Sequence, residues 1–226
     1  MSDQSKIRHG TCEDLSLIET FRYEPAQGLI RKEAHLNRIA HSAASLAFEF
    51  PHTEIISALD LRLEQTSRVR LELFNNGTFE ITIAPFEKQP DDTRWTIAIA
   101  KTLMSSANTL IQHKTSKRDV YQKARAEFPQ TEINEVILCN EKGEICEGTI
   151  TNIFIRAGDD KFLTPHLSCG LLPGIYRQHL LETNQAQEAV LRIDDLRQAD
   201  EIYVGNSLRE LIKAKFASGA LEIGGD

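Results

Sequence analysis

Alternation of apolar and charged residues is the clearest pattern in the chain. Charged and apolar side chains alternate from Arg68 to Phe74 (RVRLELF), and the alternation returns from Thr78 to Ala84. Asn75–Gly77 lies between the two runs and is typical of a tight turn. Because successive side chains of a strand point to opposite faces, the pattern predicts a half-buried antiparallel hairpin.

Apolar residues spaced three or four positions apart predict helices. The spacing is clearest over Lys32–Phe48, which predicts an amphipathic helix with His35 and Arg38 one turn apart. Gly170–Gly174 (GLLPG) breaks the chain and favours a helix start directly after it. The other predicted helices are Thr53–Thr66, Thr115–Phe128, Ile175–Thr183 and Ser207–Phe216.

Short apolar runs between the helices predict further strands. They are Ser16–Arg22, Trp95–Ala100, Glu135–Cys139, Ile150–Ile155, Lys161–Leu163 and Glu201–Val204. Strands and helices mixed in this way indicate an α+β fold. Met104–Leu110 (MSSANTL) is small and polar, so we expect it to link two halves of the chain.

Composition and charge narrow the class of protein. A formal net charge of −7 argues against a nucleic-acid partner, because phosphate binding normally leaves a basic surface. No stretch approaches the roughly 18 to 20 apolar residues of a membrane span, and the first ten residues lack the apolar core of a signal peptide. We therefore expect no membrane partner and a cytoplasmic location. The cysteines and histidines show no zinc-ligand spacing, so no metal site is expected.

Six collinear segments carry a family resemblance that covers about residues 17–211. They are IETFRY, HLNRIAHSA, HKTSKRDVY, NEKGEICEGTITNIF, FLTP and GLLPGIYR. In this order and spacing they resemble the class IV (fold type IV) enzymes that depend on pyridoxal 5'-phosphate (PLP). Within that family the chain looks most like the 4-amino-4-deoxychorismate lyase branch, including the lyase domain fused to some 4-aminobenzoate synthases.

The resemblance implies two catalytic residues. Lys114 matches the lysine that joins the PLP aldehyde as a Schiff base and later moves the proton at the substrate's α-carbon. Glu147 matches the carboxylate that pairs with the pyridine nitrogen of PLP, where an anion keeps the ring protonated and electron-withdrawing.

The same resemblance implies a phosphate site and substrate cations. Arg38, Ser207 and the helix start at Gly174, Ile175 and Tyr176 match the positions that hold the PLP phosphate. For the carboxylates of the substrate it indicates two more arginines, Arg22 and Arg70. Arg70 and its neighbour Arg68 could equally be exposed strand residues.

Two departures from the family pattern affect the expected pocket. Gly10–Asp14 (GTCED) is a poor substitute for the Gly-Asp-Gly segment of most relatives, so one wall of the pocket is expected to be shorter. Branched-chain aminotransferases have an Asn-Tyr pair after the lysine, whereas this chain has Arg118 and Asp119 there and Tyr121 further on. The residue that contacts the phenolic oxygen of PLP is left open.

The resemblance implies an architecture and a set of functions. We expect a two-domain, D-amino acid aminotransferase-like fold, with a small N-terminal α+β domain (1–108), a larger C-terminal PLP-binding domain (109–226) and a homodimer. The first hypothesis is a lyase that makes 4-aminobenzoate and pyruvate for folate synthesis. The second is an aminotransferase for branched-chain or D-amino acids, and the third is a non-catalytic relative or partner subunit of an aminobenzoate synthase.

Overall fold

The computed structural model describes residues 15–158 and 161–217, and strands dominate this part of the chain. In chain order its elements are β1 (Ser16–Glu24), β2 (Gly28–Leu29), α1 (Lys32–Ser45), α2 (His52–Ala58), β3 (Ser67–Phe74), β4 (Phe79–Pro85), β5 (Arg94–Ile99), α3 (Asp119–Ala126), β6 (Glu135–Cys139), β7 (Ile145–Gly148), β8 (Asn152–Arg156), β9 (Phe162–Pro165), α4 (Ile175–Glu182), β10 (Ala186–Ala189), α5 (Ile193–Gln198), β11 (Glu201–Asn206) and β12 (Glu210–Phe216). The α+β fold class is confirmed. No helix in these ranges has the length and apolar character needed to cross a membrane.

A four-stranded sheet in the order β2-β1-β3-β4 forms the first layer, and the predicted hairpin is its β3–β4 pair. Val69, Leu71 and Leu73 of β3 are fully buried and pack with the apolar face of α1, including Leu36 and Ile39. The residues between them on β3 point to the other face of the sheet. That face carries Arg68 and Arg70 towards the cavity described below.

An eight-stranded mixed sheet in the order β10-β9-β8-β11-β12-β5-β6-β7 forms the larger part of the fold. Its β5 strand lies between β12 and β6 and is parallel to both. The chain therefore changes sheet between Pro85 and Arg94. The domain division at residue 108 stays a prediction, and this change of sheet places β5 with the strands that follow it.

Three predicted helices differ from the structure. The closing helix over 207–216 is wrong, because this segment is strand β12, where Ile212 and Ala214 are buried at a period of two. The helix predicted over 53–66 ends at Ala58. The helix predicted from Thr115 begins only at Asp119, because residues 114–116 pair with β1: Ile18 N–H donates to Lys114 O at 2.8 Å and Ser116 N–H to Ser16 O at 2.9 Å.

The short elements β2, β7, β10 and α5 were not predicted from the sequence. Of these, β7 matters most, because it carries Glu147 as a buried strand residue. The expected shortening of the pocket wall at 10–14 lies outside the described residues.

Candidate active site

A cavity of about 450 Å³ is lined by residues from both sheets and from the segments that connect them. It brings together seven of the residues that the sequence singled out: Arg38, Arg70, Lys114, Glu147, Gly174, Ile175 and Ser207. These positions span more than 160 residues of sequence, and the fold brings them to one cavity.

Lys114 reaches the cavity from the segment that pairs with β1. Backbone pairing on both sides, through Ile18 and Ser116, fixes the start of the Lys114 side chain against the first sheet. Burial and the nearby cations Arg38 and Arg118 together lower the pKa of the ammonium group to about 8, against the opposing effect of Glu19 and Glu147. About a tenth of Lys114 is therefore a neutral amine at pH 7 and about half at pH 8, and the neutral amine is the form that attacks a carbonyl carbon.

Glu147 lies on β7 with its carboxylate held by three donors. The Tyr121 hydroxyl donates to Oε1 at 2.6 Å, the Leu172 N–H donates to the same oxygen at 3.0 Å, and the Asn152 amide donates to Oε2 at 3.4 Å. Burial nevertheless raises the pKa of Glu147 to about 7, because these hydrogen bonds and the charges of Lys114 and Arg118 offset the loss of water only in part. A cation brought next to this carboxylate would stabilise its ionised form.

A second buried carboxylate, Glu19, organises the opposite side of the cavity. Arg38 donates to it from Nε at 2.8 Å and from Nη2 at 2.7 Å, and His35 Nδ1 lies 2.6 Å from Oε2. Burial alone would raise the pKa of Glu19, but Arg38 and His35 outweigh it and hold the pKa at about 2. His35 Nε2 lies 2.8 Å from Ser207 Oγ, so one continuous network joins Arg38 to Ser207.

The proton positions in this network follow from the charges. Burial lowers the pKa of His35, which makes the ring neutral near pH 7. Because Glu19 is ionised and can only accept, we place the ring proton on Nδ1 and let Nε2 accept from the Ser207 hydroxyl. The Ser207 hydroxyl must then turn away from His35 before it can donate to any ligand in the cavity.

The start of helix α4 forms a corner of the cavity at which an anion could be held. No side chain caps the helix at Gly174, and its first N–H groups are those of Ile175, Tyr176 and Arg177. A Cβ at Gly174 would lie 1.8 Å from Asn152 Oδ1, so only glycine fits at this close approach. Arg38 Nη1 donates to Pro173 O at 3.0 Å and thereby ties the guanidinium to this corner. A phosphate dianion fits the open N–H groups, the guanidinium and the hydroxyl gathered here.

Two of the predicted residues are not brought into the cavity. The buried Arg22 guanidinium donates to Glu210 at 3.0 Å and to Leu208 O at 3.3 Å and is not among the lining residues. The Tyr176 ring lies under the guanidinium of Arg31, at 4.7 Å, and lines a different cavity. Tyr176 can therefore contribute only its backbone N–H, at the start of helix α4, to the binding of an anion. Within residues 15–158 and 161–217, no group of three His, Cys, Asp or Glu side chains could hold a metal ion.

Sequence reasoning assigned no role to Glu19 and His35, although both lie in the quoted segments IETFRY and HLNRIAHSA. The sequence left open whether Tyr121 contacts the phenolic oxygen of PLP. In the structure the Tyr121 hydroxyl donates a hydrogen bond to Glu147. Arg209 was missed altogether, although it lines the cavity. The sequence feature that could have indicated Arg209 is its position two residues after Ser207, a predicted phosphate-binding residue.

The chain is similar to several known proteins. A Schizosaccharomyces pombe protein with the provisional name aminodeoxychorismate lyase is 32% identical over 89% of this chain and 89% of its own. Aminodeoxychorismate lyase of Bacillus subtilis is 26% identical, over 92% of this chain and 79% of its own. A Mesorhizobium loti crystal structure, provisionally described as an amino-acid aminotransferase, is 45% identical, with a TM-score of 0.86 over 90% of this chain and 100% of that one.

The family itself follows from the match of the amino-transferase class IV family over residues 16–215, which include every described cavity residue named above. The chain therefore belongs to the class IV aminotransferases and is a PLP-dependent enzyme.

Proposed function

We propose that this enzyme is a lyase that converts 4-amino-4-deoxychorismate to 4-aminobenzoate and pyruvate, a supply step for folate synthesis. The observation that supports the lyase is the similarity to the S. pombe protein with the lyase name, which is 32% identical over 89% of both chains. The two products together contain all the atoms of the substrate. The reaction therefore needs no oxidant and no second substrate, only an amine site and a group that moves one proton.

Lys114 and Glu147 are the catalytic residues of this proposal. When bound, PLP supplies an aldehyde that links covalently to an amine and a ring that withdraws electrons from the carbon bearing that amine. Lys114 has the neutral amine for that link and, once released, a nitrogen that takes the proton from the substrate carbon. Glu147 offers its carboxylate to the ring nitrogen, while Tyr121 and Asn152 orient it.

The phosphate is assigned to the corner formed by Arg38, Ser207 and the N–H groups of Ile175 and Tyr176, with Gly174 allowing the close approach. Because Glu19 already neutralises Arg38, much of the attraction for a dianion must come from the helix start. A phosphate held at this corner would leave the ring of PLP in the cavity that Lys114 and Glu147 also line.

A product assay tests the proposal. Holoenzyme incubated with 4-amino-4-deoxychorismate is expected to release pyruvate and 4-aminobenzoate in equal amounts. Lys114→Ala is expected to lose this activity, whereas Lys117→Ala, an exposed lysine three residues further on, should keep it. Failure of the wild-type holoenzyme to form pyruvate from this substrate would contradict the lyase assignment.

Aminotransfer is the second candidate, supported by the M. loti structure at 45% identity. The same Lys114 and Glu147 would serve it, since both reactions begin with removal of the same kind of proton. The holoenzyme would then exchange amino groups between branched-chain or D-amino acids and 2-oxo acids. New amino acid without pyruvate would favour this candidate. The non-catalytic alternative is not carried further, because the family is one of enzymes.

We further propose a homodimer in the cytoplasm, as the family resemblance implies. Light scattering of the purified holoenzyme should give twice the mass of the 226-residue chain. A monomeric mass at working concentrations would contradict the dimer.

A further inference from the structure

Two of the arginines that line the cavity have no hydrogen-bonded partner for their side chains. Among the cavity arginines of the described residues, Arg38 is bound to Glu19, Arg70 to Glu72 at 2.9 Å, and Arg118 to the carbonyl of Thr149. Arg68 of β3 and Arg209, between β11 and β12, form neither an ion pair nor a side-chain hydrogen bond within residues 15–158 and 161–217. Their donors are therefore available to a ligand.

Arg209 is held in place by aromatic rings instead of by an anion. Its guanidinium carbon lies 5.7 Å from the centre of the Phe86 ring and 5.9 Å from that of Trp95. Both distances are within the range of a cation–π contact. The backbone N–H of Arg209 also donates to Asn206 Oδ1 at 2.9 Å, which fixes the loop that carries it. A guanidinium fixed in this way loses little conformational freedom when it binds a carboxylate.

Arg68 lies close enough to Arg209 to disfavour the charge of the Arg209 guanidinium. Burial lowers the pKa of Arg209, and Arg68 lowers it further. The neighbouring carboxylate of Glu135 raises it, but Glu135 accepts hydrogen bonds from Val136, Thr149, Ile150 and Thr151 and forms no ion pair with either arginine. An anion between Arg68 and Arg209 would remove this repulsion and fill the open donors.

We propose that Arg68 and Arg209 form a subsite for a carboxylate of the substrate, separate from the phosphate corner. The inference rests on the proposed function, in which the cavity binds an amine substrate. It narrows the class of substrate to amines that carry an acidic group. A cyclic amine with a ring carboxylate fits this description. An amine without any acidic group would leave both cations without a partner and is disfavoured.

Equilibrium binding to the holoenzyme tests this subsite without turnover. Isothermal titration calorimetry with 4-aminobenzoate and with its neutral analogue 4-aminobenzamide compares ligands that differ in one charge. Wild type is expected to bind the acid about 10- to 100-fold more tightly, as a charge-assisted hydrogen bond provides. Arg68→Gln and Arg209→Gln should each bring the two affinities close together. The control Arg62→Gln removes an exposed arginine outside the cavity and should keep the preference.

Each result decides the proposal. Wild type that binds both compounds equally, or binds neither, contradicts the subsite, as does a preference that persists in either cavity variant that folds. Arg68 is exposed, so Arg68→Gln should fold even if Arg209→Gln, which leaves two rings uncovered, does not. An arginine-dependent preference without pyruvate formation would refute the lyase and leave the subsite standing. Pyruvate formation with an arginine-independent preference would do the reverse.

Discussion

Two buried carboxylates lie on the two sides of one cavity, and their surroundings give them opposite properties. Glu19 is fully buried and Glu147 is 4% exposed, so the loss of water is similar for both. Glu19 lies against Arg38 and His35 and has a pKa of about 2. Glu147 is bound by a hydroxyl, an N–H and an amide, and its pKa is about 7.

The charge of Glu19 is already compensated by Arg38, whereas Glu147 has no cation in direct contact among the described residues. Glu19 completes a protein network and has no free charge to offer a ligand. Glu147 gains most from a positively charged group brought into the cavity, as a protonated ring nitrogen would be. Changes at the two positions should therefore act on different properties of the enzyme.

The largest expected effect is on stability, at Glu19. Glu19→Gln leaves the buried Arg38 charge without its partner, which should cost about 3 to 5 kcal/mol of unfolding free energy. Urea unfolding of the apoprotein measures this loss. The control is Glu72→Gln, since the more exposed Glu72–Arg70 pair should contribute at most about 1 kcal/mol. Equal losses in the two variants would remove the distinction between a buried network and a surface pair.

The next effect is on turnover, at Glu147. Glu147→Gln should leave PLP bound and lower turnover roughly 100-fold, as loss of one preorganised electrostatic contact typically does. The apoprotein should not lose stability at neutral pH, because the amide is neutral at every pH, whereas the buried native carboxyl is already about half ionised there. Steady-state kinetics and the visible absorbance of bound cofactor report the two properties separately. An unchanged turnover number would exclude Glu147 from the mechanism.

The smallest effect is the pH dependence that Glu147 gives to the apoprotein. Its folded pKa of about 7 lies above the ordinary 4.5, so between these values the folded state holds a proton that the unfolded state has lost. Stability relative to Glu147→Gln should therefore be fully present below pH 4.5 and fall by about 1 kcal/mol per pH unit as the pH rises towards 7. Chemical denaturation of both apoproteins at several pH values measures the slope, and a rising difference would refute the raised pKa.

Sequence patterns predicted those parts of the fold that depend on local periodicity. The β3–β4 hairpin followed from strict alternation, and β6 has the bounds predicted for it, Glu135–Cys139. In β12, two lysines and a glutamate among apolar residues suited a helix as well as a strand. The segment is a strand because it pairs with β11 and β5. Pairing partners distant in sequence leave no trace in a local pattern.

The site could be predicted only as far as matching motifs reached. Lys114 and Glu147 came from the family resemblance, and the fold places both at one cavity. The contact of His35 with Ser207 spans 172 positions and was not foreseeable from spacing. The sequence does not show which arginines are paired with a carboxylate of the protein. In the structure Arg22 is bound to Glu210, whereas Arg209 lines the cavity without an ion pair in the described residues.

Borohydride reduction of the holoenzyme, followed by mass spectrometry of its peptides, identifies the lysine that holds the cofactor. Reduction makes the bond between PLP and its lysine permanent, so the modified residue can be read from the peptide masses. We expect the cofactor mass on Lys114, and no cofactor adduct in a Lys114→Ala variant. A cofactor fixed to Lys117 or to another lysine, with Lys114 unmodified, would contradict it.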